Sequence, residues 1–292
     1  MADEQGPIVV SVINMKGSVG KTTVAAMLAR VSALVFKQDV LAIDLDPQAN
    51  LSQSLMGEYG YKRFLENKSP SIVEIFKGYQ PPTPLNPSSS PLDIDNVVHE
   101  VTSNLHVIPS RFDFSDNLIS SIGTDPRVLA RLIANSFQSK DLILIDCAPT
   151  ESILTQTAYH ASGYILVPVK PEFFATIGFP LLNDSLNAFK SSNPGHQIAV
   201  IGIVINNSFY DGGNDVGPEK ERSMKEISEE ASENSWHIFR NQLVHSRGFP
   251  KIMRGDFRYT GNALKSFQPF AGEFLLRLVE SGWIPAEINK ND

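Results

Sequence analysis

The chain has 292 residues, 42% of them hydrophobic, and a formal net charge of −7. That length can bury a large core and fits one large α/β domain or two modest ones. No apolar run approaches the roughly 18 residues of a membrane span, the acidic opening MADEQGP is no signal peptide, a single cysteine, Cys147, excludes an internal disulfide framework, and the acidic balance argues against a dedicated nucleic-acid binder.

In chain order, PIVVSVIN (7–14) reads as a buried strand. Val24, Met27, Leu28, Val31 and Leu34 recur at helical spacing and predict a helix over 22–36. VLAIDLD (40–46) is a second strand. Residues 57–92 contain PPTPLNPSSSPL, whose composition predicts a surface insertion of loop character. Further strands are expected at 141–149, 163–171 and 197–206, with helices around 125–138, 151–161, 174–191 and 217–233 and a last helix within 261–284. The strands are continuously apolar, as in parallel sheets covered on both faces. The alternation predicts an α/β fold, doubly wound, with a mostly parallel sheet and helices on both faces, in a single domain over 1–292.

Charge is unevenly spread along the chain. Six glutamates within 219–233 face only Lys220, Arg222 and Lys225, whereas 239–266 carries Arg240, Arg247, Lys251, Arg254, Arg258 and Lys265 against Asp256 alone.

The chemistry starts in MKGSVGKTT (15–23), between the first strand and the first helix. A glycine-rich turn that opens a helix aims backbone N–H groups at one spot, and the helix dipole favours an anion there. Gly20-Lys21-Thr22 ends a Walker A pattern: Lys21 reaches β- and γ-phosphates, Thr22 ligates Mg²⁺ and Thr23 lies on the α-phosphate side. The generic pattern fails at its first position, which is Met15, and a second lysine, Lys16, stands in the same loop. Downstream, Asp44 and Asp46 alternate with Leu45 at a strand end, so both point to one side. Asp146 ends LILID, a hydrophobic strand that delivers a carboxylate towards Mg²⁺. Cys147 beside it reads as a small buried side chain.

These residues resemble the ParA/MinD superfamily of deviant Walker A ATPases, in its ParA (Soj-like) branch without an N-terminal helix-turn-helix domain. MKGSVGKTT looks like its K-G-G-x-G-K-[ST] loop, and DLDPQAN like its D-x-D-P-Q-G-N segment. The resemblance implies ATP and Mg²⁺ as cofactors and a homodimer that closes on ATP, with Lys16 reaching the phosphates bound by the partner subunit. It implies a phosphate cradle of Lys16, Gly17, Ser18, Val19, Gly20, Lys21, Thr22 and Thr23. Asp46 then orients the attacking water, Asp44 and Asp146 support Mg²⁺ with Thr22, and Asn206 is a candidate adenine contact. Glu172, Ala175 and Gly178 match the family's V-P-x-x-x-E-x-x-A-x-x-G stretch. Two departures stand out: Ser18 and Ala49 replace usual glycines. A Cβ at position 18 costs energy if the backbone there has positive φ, and Ser18 is a possible brake on hydrolysis; the change at Ala49 reads as minor.

The functional expectation is a cytoplasmic, nucleoid-associated ATPase. It binds nonspecific DNA through Arg247, Lys251, Arg254 and Arg258, positions DNA or another cargo, and is released by a ParB-like or other adaptor that stimulates hydrolysis. A MinD-like membrane cycler is the alternative, but the tail FLLRLVESGWIPAEINKND lacks the basic flanks of a membrane-binding helix, so no membrane partner is expected. A metabolic ATP-dependent ligase of the same fold is a further alternative. Electron transfer through a shared iron–sulfur cluster needs two cysteines per subunit and is excluded.

Overall fold

The computed structural model describes residues 6–79, 92–112, 114, 125–172, 175–210, 218–245, 251 and 260–282. Strands β1 (Ile8–Val12), β2 (Val40–Asp44), β3 (His99–Thr102), β4 (Leu105–Ile108), β5 (Leu142–Asp146), β6 (Tyr164–Val169), β7 (Ala199–Tyr210) and β8 (Leu243–His245) form one sheet in the order β3-β4-β2-β5-β1-β6-β7-β8. Every neighbouring pair is parallel except β3 with β4. The described helices are α1 (Lys21–Leu34), α2 (Asn50–Glu66), α3 (Ile72–Gly78), α4 (Val128–Ser136), α5 (Ile153–Ala161), α6 (Gly178–Ser192), α7 (Pro218–Glu233) and α8 (Thr260–Glu280).

Side-chain alternation divides the core into two layers. Val9, Ile43, Ile143, Ile145 and Ile165 face one layer, with residues of α3, α4, α5 and α6. Val10, Val12, Ala42, Leu142, Leu144 and Leu166 face the other, with residues of α1, α2 and α8. Because both faces are covered, the strands read as unbroken Val/Ile/Leu runs. The chain passes from β1 to one side of the sheet, returns through β5 and continues to the other through β6. That reversal opens a crevice beyond the carboxyl ends of the central strands, where doubly wound folds bind ligands.

The expected surface insertion at 57–92 is corrected over its first part. Residues 57–66 continue α2 and 72–78 form α3, with Tyr61, Phe64, Ile72, Val73, Ile75 and Phe76 buried. Gly57, at φ 72° and ψ 166°, kinks α2 and interrupts its helical periodicity, which hid the helix from a periodicity reading. Ser71 and Glu74 form a capping box at α3: the Ser71 backbone N–H donates to Glu74 Oε2 at 2.7 Å, and Val73 N–H donates to Ser71 Oγ at 3.2 Å. The Pro/Ser-rich stretch 80–91 lies outside the described residues. The last helix keeps Pro269 inside it and closes the core with Phe270 and Phe274 packed against Phe239 and Phe267 against Phe270.

Candidate functional site

β1 stops at Val12 and α1 starts at Lys21, leaving a short loop over the crevice. Val24 N–H to the Gly20 carbonyl, 2.9 Å, is the first bond of the helix. The amides of Lys21, Thr22 and Thr23 therefore have no acceptor inside α1. Gly20 has φ +93°, and a Cβ there would sit 2.1 Å from Asn206 Nδ2. Glycine is required on both counts. Ser18, at φ 61°, also takes left-handed backbone, as does Ala49 at φ 53°. The two positions where this chain departs from the family's glycines are thus both left-handed.

The two lysines of the loop have different surroundings. Lys21 is buried and folds back across the loop, donating to the carbonyls of Asn14 and Lys16 at 3.1 Å each. Burial lowers its pKa, against the pull of Asp146, Cys147 and Asp46. Lys16 Nζ lies 3.3 Å from Glu172 Oε1. Asn14 holds the backbone beneath it: its amide donates to Pro168 O at 2.8 Å and its Oδ1 accepts from Lys16 N–H at 2.8 Å. The start of α6 abuts the same place, since a Cβ on Gly178 would meet Asn14 Oδ1 at 2.6 Å and Lys16 N at 3.1 Å.

The carboxylates gather at the ends of β2 and β5, where Asp44 and Asp146 are cross-strand partners. Asp44 Oδ2 accepts from the Ser52 amide at 2.8 Å and the Ser52 hydroxyl at 2.6 Å, and Oδ1 accepts from Asp46 N–H at 3.1 Å. Burial pushes its pKa up to about 7 despite the Ser52 and Asp46 donors. Asp46 Oδ1 accepts from Gln48 N–H at 2.9 Å, so this side chain also builds the turn at Pro47. Asp146 is fully buried, and neither of its oxygens has a hydrogen-bond partner of good geometry among the described residues. Burial and then Asp44 raise its pKa well above the ordinary range, more than the Thr22 hydroxyl and the Lys21 ammonium lower it.

A buried carboxylate with only the Thr22 hydroxyl beside it, across from a second raised carboxylate, calls for a cation. Among the described residues no group of three or more His, Cys, Asp or Glu side chains forms a complete metal cage. This donor set fits Mg²⁺, which takes one or two carboxylates and completes its shell with water and substrate phosphates. Asp146, Asp44 and Thr22 are the residues that would hold it.

The structure thus brings Lys16, Lys21, Thr22, Asp44, Asp46 and Asp146 to one crevice. Asn206 also belongs there, but its amide donates to the Val19 carbonyl at 2.9 Å, so it braces the phosphate loop. That bond uses one of the two amide N–H groups, so the adenine contact expected of Asn206 is compatible with it. Of the four basic residues expected to face DNA, Lys251 is exposed, while Arg247, Arg254 and Arg258 lie outside the described residues. Sequence reasoning passed over Ser52, whose only signal was its place two residues after Asn50 in the segment that follows Asp44.

Fold, loop and carboxylates together define a P-loop nucleotide-binding α/β protein. The AAA_31 family, described as an AAA domain, matches residues 8–198, and the chain belongs to this ParA/MinD-type family. An uncharacterised Methanocaldococcus jannaschii protein is 29% identical over 202 residues, covering 68% of this chain and 73% of the relative. The chromosome-partitioning ATPase Soj of Treponema pallidum is 30% identical over 182 residues, 61% of this chain and 63% of that protein. The match spans 57% of an uncharacterised Mycobacterium tuberculosis protein, at 29% identity over 203 residues. Among solved structures, a Cyanothece McdA variant in complex with ATP superposes with a TM-score of 0.73 at 18% identity, over 93% of this chain and 97% of that one. Cobyrinic acid a,c-diamide synthase from Mycobacterium smegmatis, with ADP and magnesium, gives 0.70 at 18% identity, over 96% and 99%. At these identities the two structures establish a shared fold.

Proposed function

We propose that the chain is a ParA-like ATPase that closes into an ATP-dependent dimer, binds DNA nonspecifically and positions a plasmid, chromosome or other cargo in the cytoplasm, with hydrolysis stimulated by a ParB-like adaptor. The observation that carries the ATPase part is Asp146: a buried carboxylate with no well-formed hydrogen bond among the described residues, across from Asp44 and beside Lys21 and Thr22. The partition part is supported by Lys16 in the deviant loop and by the Soj relative.

In this reading the free amides at the start of α1 and the Lys21 ammonium bind the phosphates, which replace the loop carbonyls that Lys21 now contacts. Mg²⁺, which Asp146, Asp44 and Thr22 would hold, would supply positive charge to stabilise phosphoryl transfer. Asp46 accepts from the attacking water and aligns it with the γ-phosphorus, since phosphoryl transfer depends on positioning and charge stabilisation. Lys16 leaves Glu172 and supplies its ammonium to the nucleotide of the facing subunit. Arg247, Lys251, Arg254 and Arg258 contact DNA phosphates.

Co-sedimentation with DNA tests this function, using ATP, ADP and no nucleotide. Retention with ATP alone is expected, and it is lost when Arg254 and Arg258 are both changed to Glu. DNA binding that ignores nucleotide would remove the ATP-switched part of this reading, and no DNA binding at all would favour the metabolic ligase alternative.

A further inference from the structure

We infer that Ser52 is a positioning residue for ATP hydrolysis, fixing the Asp44 carboxylate at the metal side of the site; the inference rests on the ATPase reading above. Ser52 lies in the first turn of α2 and is wholly buried, as are Asp44 and Ser110. Its hydroxyl makes two contacts, Asp44 Oδ2 at 2.6 Å and the Ser110 backbone N–H at 2.8 Å. A backbone N–H can only donate, so the hydroxyl accepts from Ser110, and its one proton goes to Asp44. The direction of the chain is therefore fixed without any choice of rotamer: Ser110 N–H to Ser52 Oγ, then Ser52 O–H to Asp44.

Both donors to Asp44 Oδ2 come from this one residue, its amide at 2.8 Å and its hydroxyl. Ser110 is itself held from α2, because Tyr61 Oη donates to its carbonyl at 3.2 Å. One hydroxyl thus ties the end of β2, the first turn of α2 and the segment leaving β4 to a single carboxylate oxygen. Asp146 has no comparable pair of well-formed donors among the described residues. The orientation of the two-carboxylate pair is consequently set from the Asp44 side. Short, charge-assisted, fully buried hydrogen bonds of this kind restrict a carboxylate more tightly than an exposed partner does.

The test uses the full chain with Ser52→Ala and Ser52→Thr. ATP turnover gives kcat and KM, and a fluorescent non-hydrolysable ATP analogue is titrated with Mg²⁺ as a readout separate from turnover. Loss of a residue that orients a metal-side ligand costs about 10–100-fold in activity or metal affinity. Ser52→Ala is therefore expected to lower kcat about tenfold or more while KM for ATP moves less than about twofold, since phosphate binding belongs to the amides of α1. The Mg²⁺ midpoint rises by a similar factor, and Ser52→Thr, which keeps the hydroxyl, restores both. An unchanged kcat and midpoint in Ser52→Ala overturns the inference, as does a threonine variant that folds like wild type yet behaves like alanine. A threonine variant that does not fold leaves the decision to the alanine variant's kcat-against-KM split and Mg²⁺ midpoint. A wild-type chain that binds the analogue but does not hydrolyse ATP removes the ATPase reading, and the Mg²⁺ midpoint alone then decides for or against Ser52.

Discussion

Ser18 and Ala49 both hold left-handed backbone, at φ 61° and 53°, with side chains that disfavour it. Such a residue costs about 1–2 kcal/mol relative to an unstrained one. The two positions differ in what the side chain returns. Ala49 is fully buried with Tyr61 and Phe64, so its methyl recovers about 0.8 kcal/mol of apolar burial. Ser18 is exposed at the tip of the phosphate loop and buries nothing in return. Glycine restores the backbone at either position but adds about 0.4–1 kcal/mol of unfolded-chain entropy. Ser18→Gly is therefore expected to stabilise the chain by about 0.5–1 kcal/mol, raising Tm by about 1–4 °C. Ala49→Gly is expected to leave Tm unchanged or slightly lower, because methyl loss and entropy offset the strain relieved. Thermal unfolding of the two variants side by side checks the contrast; equal shifts would remove the burial argument. ATP turnover measured on the same Ser18→Gly sample shows whether the serine slows hydrolysis, as its place in the loop suggests.

At the scale of elements, the edge strand β8 depends on one carboxylate. Glu273 on α8 accepts from Arg240 N–H at 2.8 Å, Asn241 N–H at 2.9 Å and the Asn241 amide at 2.7 Å, fixing the turn that enters the strand. Burial alone would raise its pKa, but these three donors, helped by His237, leave it lowered. A lowered folded-state pKa means the ionised form stabilises the fold. That contribution is present above the ordinary value of 4.5 and is lost as pH falls through the lower folded value. Glu273→Gln is expected to cost about 1–2 kcal/mol at pH 7, with the gap to wild type closing below pH 4.5 in urea unfolding. A gap that stays constant with pH would make Glu273 a packing residue. Elements like this were poorly legible in the sequence, and the reason is physical. β1, β2, β5 and β6 announce themselves because burial on both faces demands unbroken Val/Ile/Leu. β3 reads HEVT at a sheet edge, half exposed, and carries no such run. α2 carries Gly57 at its kink and Gly60 three residues on, which break the apolar period. In the site, Lys16, Lys21, Thr22, Asp46 and Asp146 were legible because each motif sits at a strand end. Ser52 was passed over because it acts through Asp44 and Ser110, distant in sequence. The pairing of Asn206 with Val19 and of Glu172 with Lys16 is likewise tertiary, which no local pattern records although both residues stood in recognised stretches.

For the whole molecule the question is whether the single chain restrains Lys16 from the role proposed for it. The Lys16–Glu172 ion pair is one restraint, at 3.3 Å, but the Glu172 side chain is 47% exposed. Exposed pairs of this kind contribute roughly 0–1 kcal/mol. A buried triphosphate facing an added ammonium in a closed interface offers a stronger interaction, because the low dielectric there magnifies charge stabilisation. Release from Glu172 therefore poses little obstacle to the role proposed for Lys16. Glu172→Gln is expected to change the ATP concentration needed for dimerisation by less than about fivefold, the equivalent of 1 kcal/mol. Lys16→Ala is expected to abolish ATP-dependent dimers while nucleotide binding persists, since Lys21 and the amides of α1 remain in place. Light scattering after size exclusion, with and without ATP, reads both variants, and a fluorescent nucleotide confirms that the lysine variant is still loaded. If Lys16→Ala dimerises like wild type, the second lysine of the loop has no role between subunits; if Glu172→Gln alone drives dimerisation without nucleotide, the ion pair is a lock rather than a resting contact.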